Sequence, residues 1–113
     1  MHELTIATEI VNIVAEKAKQ EAFSNVDRIT IEIGRLSGVN PHCLSFVFPE
    51  AARGTPLEGC YLNLVDIPVD IACRQCDNTT IADETLLVCS TCGSQDIKIN
   101  HGKELRITNL EVQ

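Results

Sequence analysis

Two Cys-x-x-Cys turns, Cys73-Arg74-Gln75-Cys76 and Cys89-Ser90-Thr91-Cys92, stand twelve residues apart in this chain. A turn of this kind aims two thiolates at one cation, and two such turns facing each other complete a tetrahedron, the geometry of a zinc ribbon. The competing reading is a thioredoxin-like redox pair, which uses a single motif that opens a helix after a strand. Two copies at ribbon spacing, without that setting, point to one Zn(II) on Cys73, Cys76, Cys89 and Cys92. Four thiolates leave no open coordination position, so such an ion is structural, and its binding energy is the folding energy of the segment that holds it. A lobe of about 30 residues lies below the size that apolar burial alone can fold, which is why a staple is expected there.

The rest of the chain is large enough to need none. Its 113 residues suit one domain with a smaller lobe inserted, and 44% hydrophobic with 22% charged residues is ordinary for a globular protein. No apolar run approaches the roughly 20 residues of a membrane span, and Met1-His2-Glu3-Leu4-Thr5 lacks the start of a secretory signal. Six cysteines are therefore expected to stay reduced in the cytosol, with no membrane partner. The net charge of −7 repels phosphate backbones. Arg74 is the only basic residue between Cys73 and Cys92, a span that also holds Asp77, Asp83 and Glu84. With aromatic content at 4%, there is little for base stacking either. A zinc-ribbon module that binds protein or nucleic acid is the alternative reading, and its nucleic-acid form is opposed by this charge.

Periodicity places the remaining elements. Leu4, Ala7, Val11, Val14, Ala18 and Ala22, widened by Ile6, Ile10 and Ile13, predict an amphipathic helix over the first 22 residues, with Met1, His2 and Glu3 as a frayed first turn. Ile29, Ile31 and Ile33 alternate with polar neighbours in a strand over 26–33. Asn40-Pro41 reads as an N-cap and first-turn proline opening a helix to about Ala52, which Pro49 should kink or divide. Further strands are expected over 61–67, ending near Pro68, and over 105–112, where the alternation slips after Ile107 and calls for a bulge near Asn109. Between the knuckles, Thr79-Thr80-Ile81 and Leu86-Leu87-Val88 suit a small hairpin. The fold class is α+β: a two-layer body of a three-stranded sheet with two helices, plus an inserted zinc-ribbon-like lobe. The domains are 1–68 with 102–113, and 69–101.

The amino end carries a second chemistry. A histidine at position two offers its imidazole, its own deprotonated amide nitrogen and the α-amine of Met1 as adjacent chelate arms. That planar nitrogen set suits Ni(II) or Cu(II) and is poor for tetrahedral zinc. The plainer reading is a histidine exposed in solvent at a chain end, and Glu3 equally suits the dipole of a helix's first turn. Cys43 and Cys60 read as small buried apolar residues, and no phosphate-binding loop is present.

Met1-His2-Glu3 before an amphipathic helix, Ile33-Gly34 closing a strand, Gly54-Thr55-Pro56-Leu57-Glu58-Gly59, the two knuckles and Gly102-Lys103-Glu104-Leu105-Arg106-Ile107 together resemble the HypA/HybF family of hydrogenase-maturation nickel metallochaperones. The likeness spans essentially the whole chain in the same order. It implies a non-enzymatic carrier with Ni(II) as transient cargo on His2, the Met1 amine and Glu3, and with structural Zn(II) on the four knuckle cysteines. It implies as partners the nickel-binding GTPase HypB and the [NiFe]-hydrogenase large subunit, with urease maturation proteins as further clients of some members. Some relatives carry a carboxylate nickel ligand in the loop before the second helix. Here Asn40 stands there, with His42 two residues on and His101 beyond the knuckles, so the full ligand set stays open, as does the choice between monomer and homodimer.

Overall fold

Apolar residues at positions 7, 10, 11, 14 and 18 recur with the helical period, and in the structure, a computed structural model described from residue 2 to 113, they form the buried face of α1 (Glu3–Glu21). The buried stripe begins at Glu3, not Leu4. Leu4 is 46% exposed and Ile13 61% exposed, whereas Glu3 is only 5% exposed. Glu3 is therefore no part of a frayed turn: it lies one helical turn before Ala7 on the same face. Ala22 ends the helix in a left-handed conformation.

The chain continues as β1 (Val26–Gly34), α2 (Pro41–Ala52), β2 (Tyr61–Ile67), β3 (Val69–Cys73), β4 (Thr79–Ala82), β5 (Ile97–His101) and β6 (Leu105–Val112). Two three-stranded sheets result, in the orders β2-β1-β6 and β4-β3-β5. The α+β expectation, with two helices and a three-stranded sheet, holds. Asn40 caps α2 as expected, its Oδ1 accepting from the amides of His42 at 2.9 Å and Cys43 at 3.1 Å. Pro49 does not divide α2, which runs unbroken to Ala52. The proline sits in the last turn, where it removes a single amide donor, and Phe48 and Ala52 beside it are buried.

The described residues form two compact units, 1–31 with 39–64 and 107–113, and 32–38 with 65–106. In the first unit α1 packs on α2, and its core includes Val11, Val14, Ile29, Ile31, Leu44 and Leu57, all nearly inaccessible. The second unit has a much smaller apolar cluster of Val69, Ile71 and Ala82, with Leu36, Leu87, Ile97 and Ile99 against it. β3 is its central strand, antiparallel to both β4 and β5. The segment between the knuckles therefore does not form the hairpin expected of it. β4 pairs back onto β3 across the first knuckle, and residues 86–88 contribute only an Asp83–Leu86 bridge. Ion pairs border this unit, with Arg35 reaching Asp66 at 2.8 Å and Glu84 at 3.7 Å.

Gly34 explains its own place at the end of β1. Its amide donates to the Glu104 carbonyl at 2.7 Å and the Leu36 amide donates to the Gly102 carbonyl at 2.6 Å. A Cβ on Gly34 would lie 2.1 Å from that Gly102 oxygen, a backbone atom with no rotamer to yield. Gly34→Ala is expected to cost about 3 kcal/mol by overpacking. Urea denaturation should show it as a lower midpoint at unchanged slope.

Candidate metal centre

The two knuckles are built alike, bond for bond. In the first, the Cys73 carbonyl accepts from the Asp77 amide at 3.1 Å, and the Cys73 amide donates to the Asn78 carbonyl at 2.9 Å. In the second, the Cys89 carbonyl accepts from the Gly93 amide at 2.8 Å and the Cys89 amide donates to the Ser94 carbonyl at 2.9 Å. The residue after each second cysteine takes positive φ, 61° at Asp77 and 77° at Gly93. That left-handed residue closes each turn, a role suited to glycine and tolerated by aspartate.

These turns bring four sulfurs together. Cys73 Sγ lies 3.6 Å from Cys92 Sγ, and Cys76 Sγ 3.6 Å from Cys89 Sγ, with all four within 4.8 Å of one another. A tetrahedral zinc with bonds of about 2.3 Å has sulfur–sulfur edges of about 3.8 Å, so the donor set fits such an ion. Amides also point at the sulfurs: Gln75 and Cys76 donate to Cys73 at 3.3 and 3.5 Å, and Thr91 donates to Cys89 at 3.4 Å. Donors of this kind favour the thiolate.

The thiols are accordingly unequal. The Cys92 amide, followed by that of Thr91 and the neighbouring thiols, brings Cys89 down to about 6 against desolvation. The Cys76 amide draws Cys73 down in the same way. The Ser94 amide pulls on Cys92, but sharing its proton with Cys73 and Cys89, together with desolvation, outweighs that pull and leaves Cys92 at about 12. Cys76 also ends above its ordinary value, through desolvation and its sulfur neighbours, despite the Asn78 amide. Cys43 and Cys60 are half-buried and outside this cluster.

At the other end of the chain, the Met1 amine lies outside the described residues. His2 is exposed and occupies the N-cap of α1 without a side-chain cap bond, its carbonyl accepting from the Ile6 amide at 3.0 Å. Glu3 Oε2 accepts from the Asn40 amide at 3.2 Å, which joins the starts of α1 and α2. That bond is the main cause holding the Glu3 carboxyl below its ordinary value. The side-chain oxygen of Asn40 is committed to capping α2, while His42 in its first turn is exposed. His101 closes β5 in the second unit, with Nδ1 3.0 Å from Glu104 Oε2. Sequence reasoning missed the Glu3–Asn40 bond, although the capping signature at Asn40 already showed where α2 starts.

A family described as hydrogenase/urease nickel incorporation metallochaperones, HypA, matches residues 1–112. The chain belongs to the HypA family. A hydrogenase maturation factor HypA from Paracoccus denitrificans is 38% identical over 112 residues, covering 99% of each chain. One from Trichodesmium erythraeum is 39% identical, covering all of this chain and 96% of its own. In fold, the chain is similar to the solution structure of the Ni metallochaperone HypA from Helicobacter pylori, with a TM-score of 0.69 at 24% identity, covering 99% of this chain and 97% of that one. A second HypA solution structure gives a TM-score of 0.72 at 23% identity over the whole of this chain and 97% of its own. HypA is a family of nickel metallochaperones, and this member carries the four-cysteine cluster. Among the described residues, no helix is long and apolar enough to cross a membrane.

The left-handed positions make one knuckle prediction. Space around Gly93 is open, so Gly93→Ala is expected to cost only the conformational penalty, about 1–2 kcal/mol, while Asp77→Gly is neutral or stabilising. Chelator competition should register the first as easier metal loss. A second prediction concerns protons. With Cys89 near 6, its thiolate is already formed at neutral pH and metal uptake there releases fewer than four protons. Its lowered value stabilises the metal-free fold above the ordinary thiol pKa of 9.0, and that contribution is lost as pH falls through about 6. Calorimetry in buffers of differing ionisation enthalpy would count the protons.

Proposed function

We propose that this chain carries Ni(II) at its amino end and delivers it for maturation of [NiFe]-hydrogenase, with urease as a further client. In this reading a Zn(II) ion on Cys73, Cys76, Cys89 and Cys92 shapes the 69–101 segment, and residues 1–68 with 102–113 present the cargo. The protein acts as a cytoplasmic carrier, not an enzyme, and passes nickel to the GTPase HypB and the hydrogenase large subunit.

The observation that carries this reading is the state of His2 in a member of a nickel-incorporation family. Its imidazole is exposed and caps nothing, and as an N-cap residue its amide lies before the first hydrogen-bonded turn. The imidazole is thus free, and the His2 amide, which otherwise faces only the Glu3 carboxylate, can join it and the Met1 amine in a planar set that suits Ni(II) and not tetrahedral zinc. The positive end of a helix dipole opposes a bare cation, yet it favours the deprotonated amide that such a set contains. Glu3, held ionised by the Asn40 amide, adds negative charge one residue away. A site with so few side-chain ligands at a chain end can also give its metal up.

Binding must displace protons from imidazole and amide, so nickel affinity is expected to weaken as pH drops. His2→Ala should reduce nickel affinity at least about a hundredfold, since it removes a chelate arm. Zinc content and the circular dichroism spectrum should stay unchanged. Unchanged nickel affinity in a calorimetric titration of that variant would overturn the assignment.

A further inference from the structure

A groove of about 330 Å³ lies entirely within the second unit, apart from the four cysteines. Ile67, Pro68 and Ile81 give it apolar walls, and Glu32, Asp70 and Glu104 bring carboxylates to them. β3 sets this arrangement. Asp70 stands opposite Ile81 of β4 on one side and His101 of β5 on the other. Directly opposed residues of an antiparallel pair project from the same face. The neighbours of Asp70 along β3, Val69 and Ile71, are fully buried in the apolar cluster. Successive side chains alternate, so Asp70 is turned away from that cluster and into the groove. Beside it there, Ile81 is 60% exposed.

The other charges at the groove are matched. Arg106 Nε lies 2.7 Å from Glu32 Oε1. Glu104 has both oxygens occupied, one by the Gly102 amide at 2.7 Å and one by His101 Nδ1 at 3.0 Å. Among the described residues, none donates to the Asp70 carboxylate. A half-buried carboxylate beside apolar walls, on a chain of net charge −7, calls for a cation from outside. A metal ion is a poor match, because among the described residues only the four cysteines gather three or more ligand atoms. A lone carboxylate instead offers two coplanar acceptors. A guanidinium takes both as a fork, whereas an ammonium meets them only as a point charge. Arginine also has an apolar stem that can lie along Ile81 and Pro68.

We propose that this groove receives an arginine side chain of a partner protein, its guanidinium forked on Asp70 and its stem against Ile81 and Pro68. The contact lies away from the amino end and needs no nickel, so it stands or falls apart from cargo binding.

The peptide acetyl-Gly-Arg-Gly-amide, titrated into the full-length protein and followed by amide NMR, tests this. The signals of Asp70, Ile81 and Glu104 should shift, with a Kd of about millimolar for a single ion pair. The lysine peptide should bind at least about fivefold more weakly, since it lacks the fork. The uncharged citrulline peptide should cause no shift. Asp70→Asn should weaken binding of the arginine peptide about tenfold or more. Ile81→Lys, at an exposed position, should do the same by setting a like charge beside the stem. Glu9→Gln, on the exposed side of α1, should leave binding unchanged. Circular dichroism and metal content should match wild type in all three variants. Absence of shifts up to about 50 mM arginine peptide would overturn the proposal. So would an undiminished affinity in Asp70→Asn, or a loss in Glu9→Gln as large, which marks diffuse attraction to an acidic surface. Equal binding by the lysine or citrulline peptide would remove the fork.

Discussion

Four sulfurs drawn from two separate turns converge to within 4.8 Å in this protein, and thiolates that close repel one another unless a cation stands among them. The second unit is organised about that demand. Its apolar cluster is small, with only Val69, Ile71 and Ala82 buried at its heart. β3 bridges the cluster and the cysteines, since it ends in Cys73 and pairs on both sides. Each knuckle pre-forms its part of the site through the same pair of backbone bonds. Other amides within the turns, those of Gln75, Cys76 and Thr91, donate to the sulfurs, so the geometry that builds the site also lowers the cost of ionising Cys73 and Cys89.

The first unit rests on a different balance. Its core of Ile, Leu and Val side chains is nearly inaccessible and much larger than the apolar cluster of the second unit. What it adds is an exposed N-cap histidine held on a helix whose next residue is fixed. Glu3 does that fixing, since its carboxylate takes the amide of Asn40, whose own side chain starts α2. The start of α1 is thus tied to the core at residue 3 and left open at residue 2.

Much of this was legible in the amino-acid order because the signals are local. Period-2 isoleucines, the Asn40-Pro41 cap and the cysteine spacing depend only on neighbours along the chain, and the elements they announce are present. Tertiary structure decided the rest. Whether residues 79–82 pair with β3 or with 86–88 depends on competition for β3's hydrogen bonds, and no local pattern encodes that contest. Glu3 is buried and Leu4 exposed because the rotation of α1 is set by the helix it packs on, not by hydrophobicity at a single position. The near-contact of Gly34 with Gly102 joins residues far apart in sequence. Long-range packing chooses among arrangements that local propensity leaves nearly equal in energy.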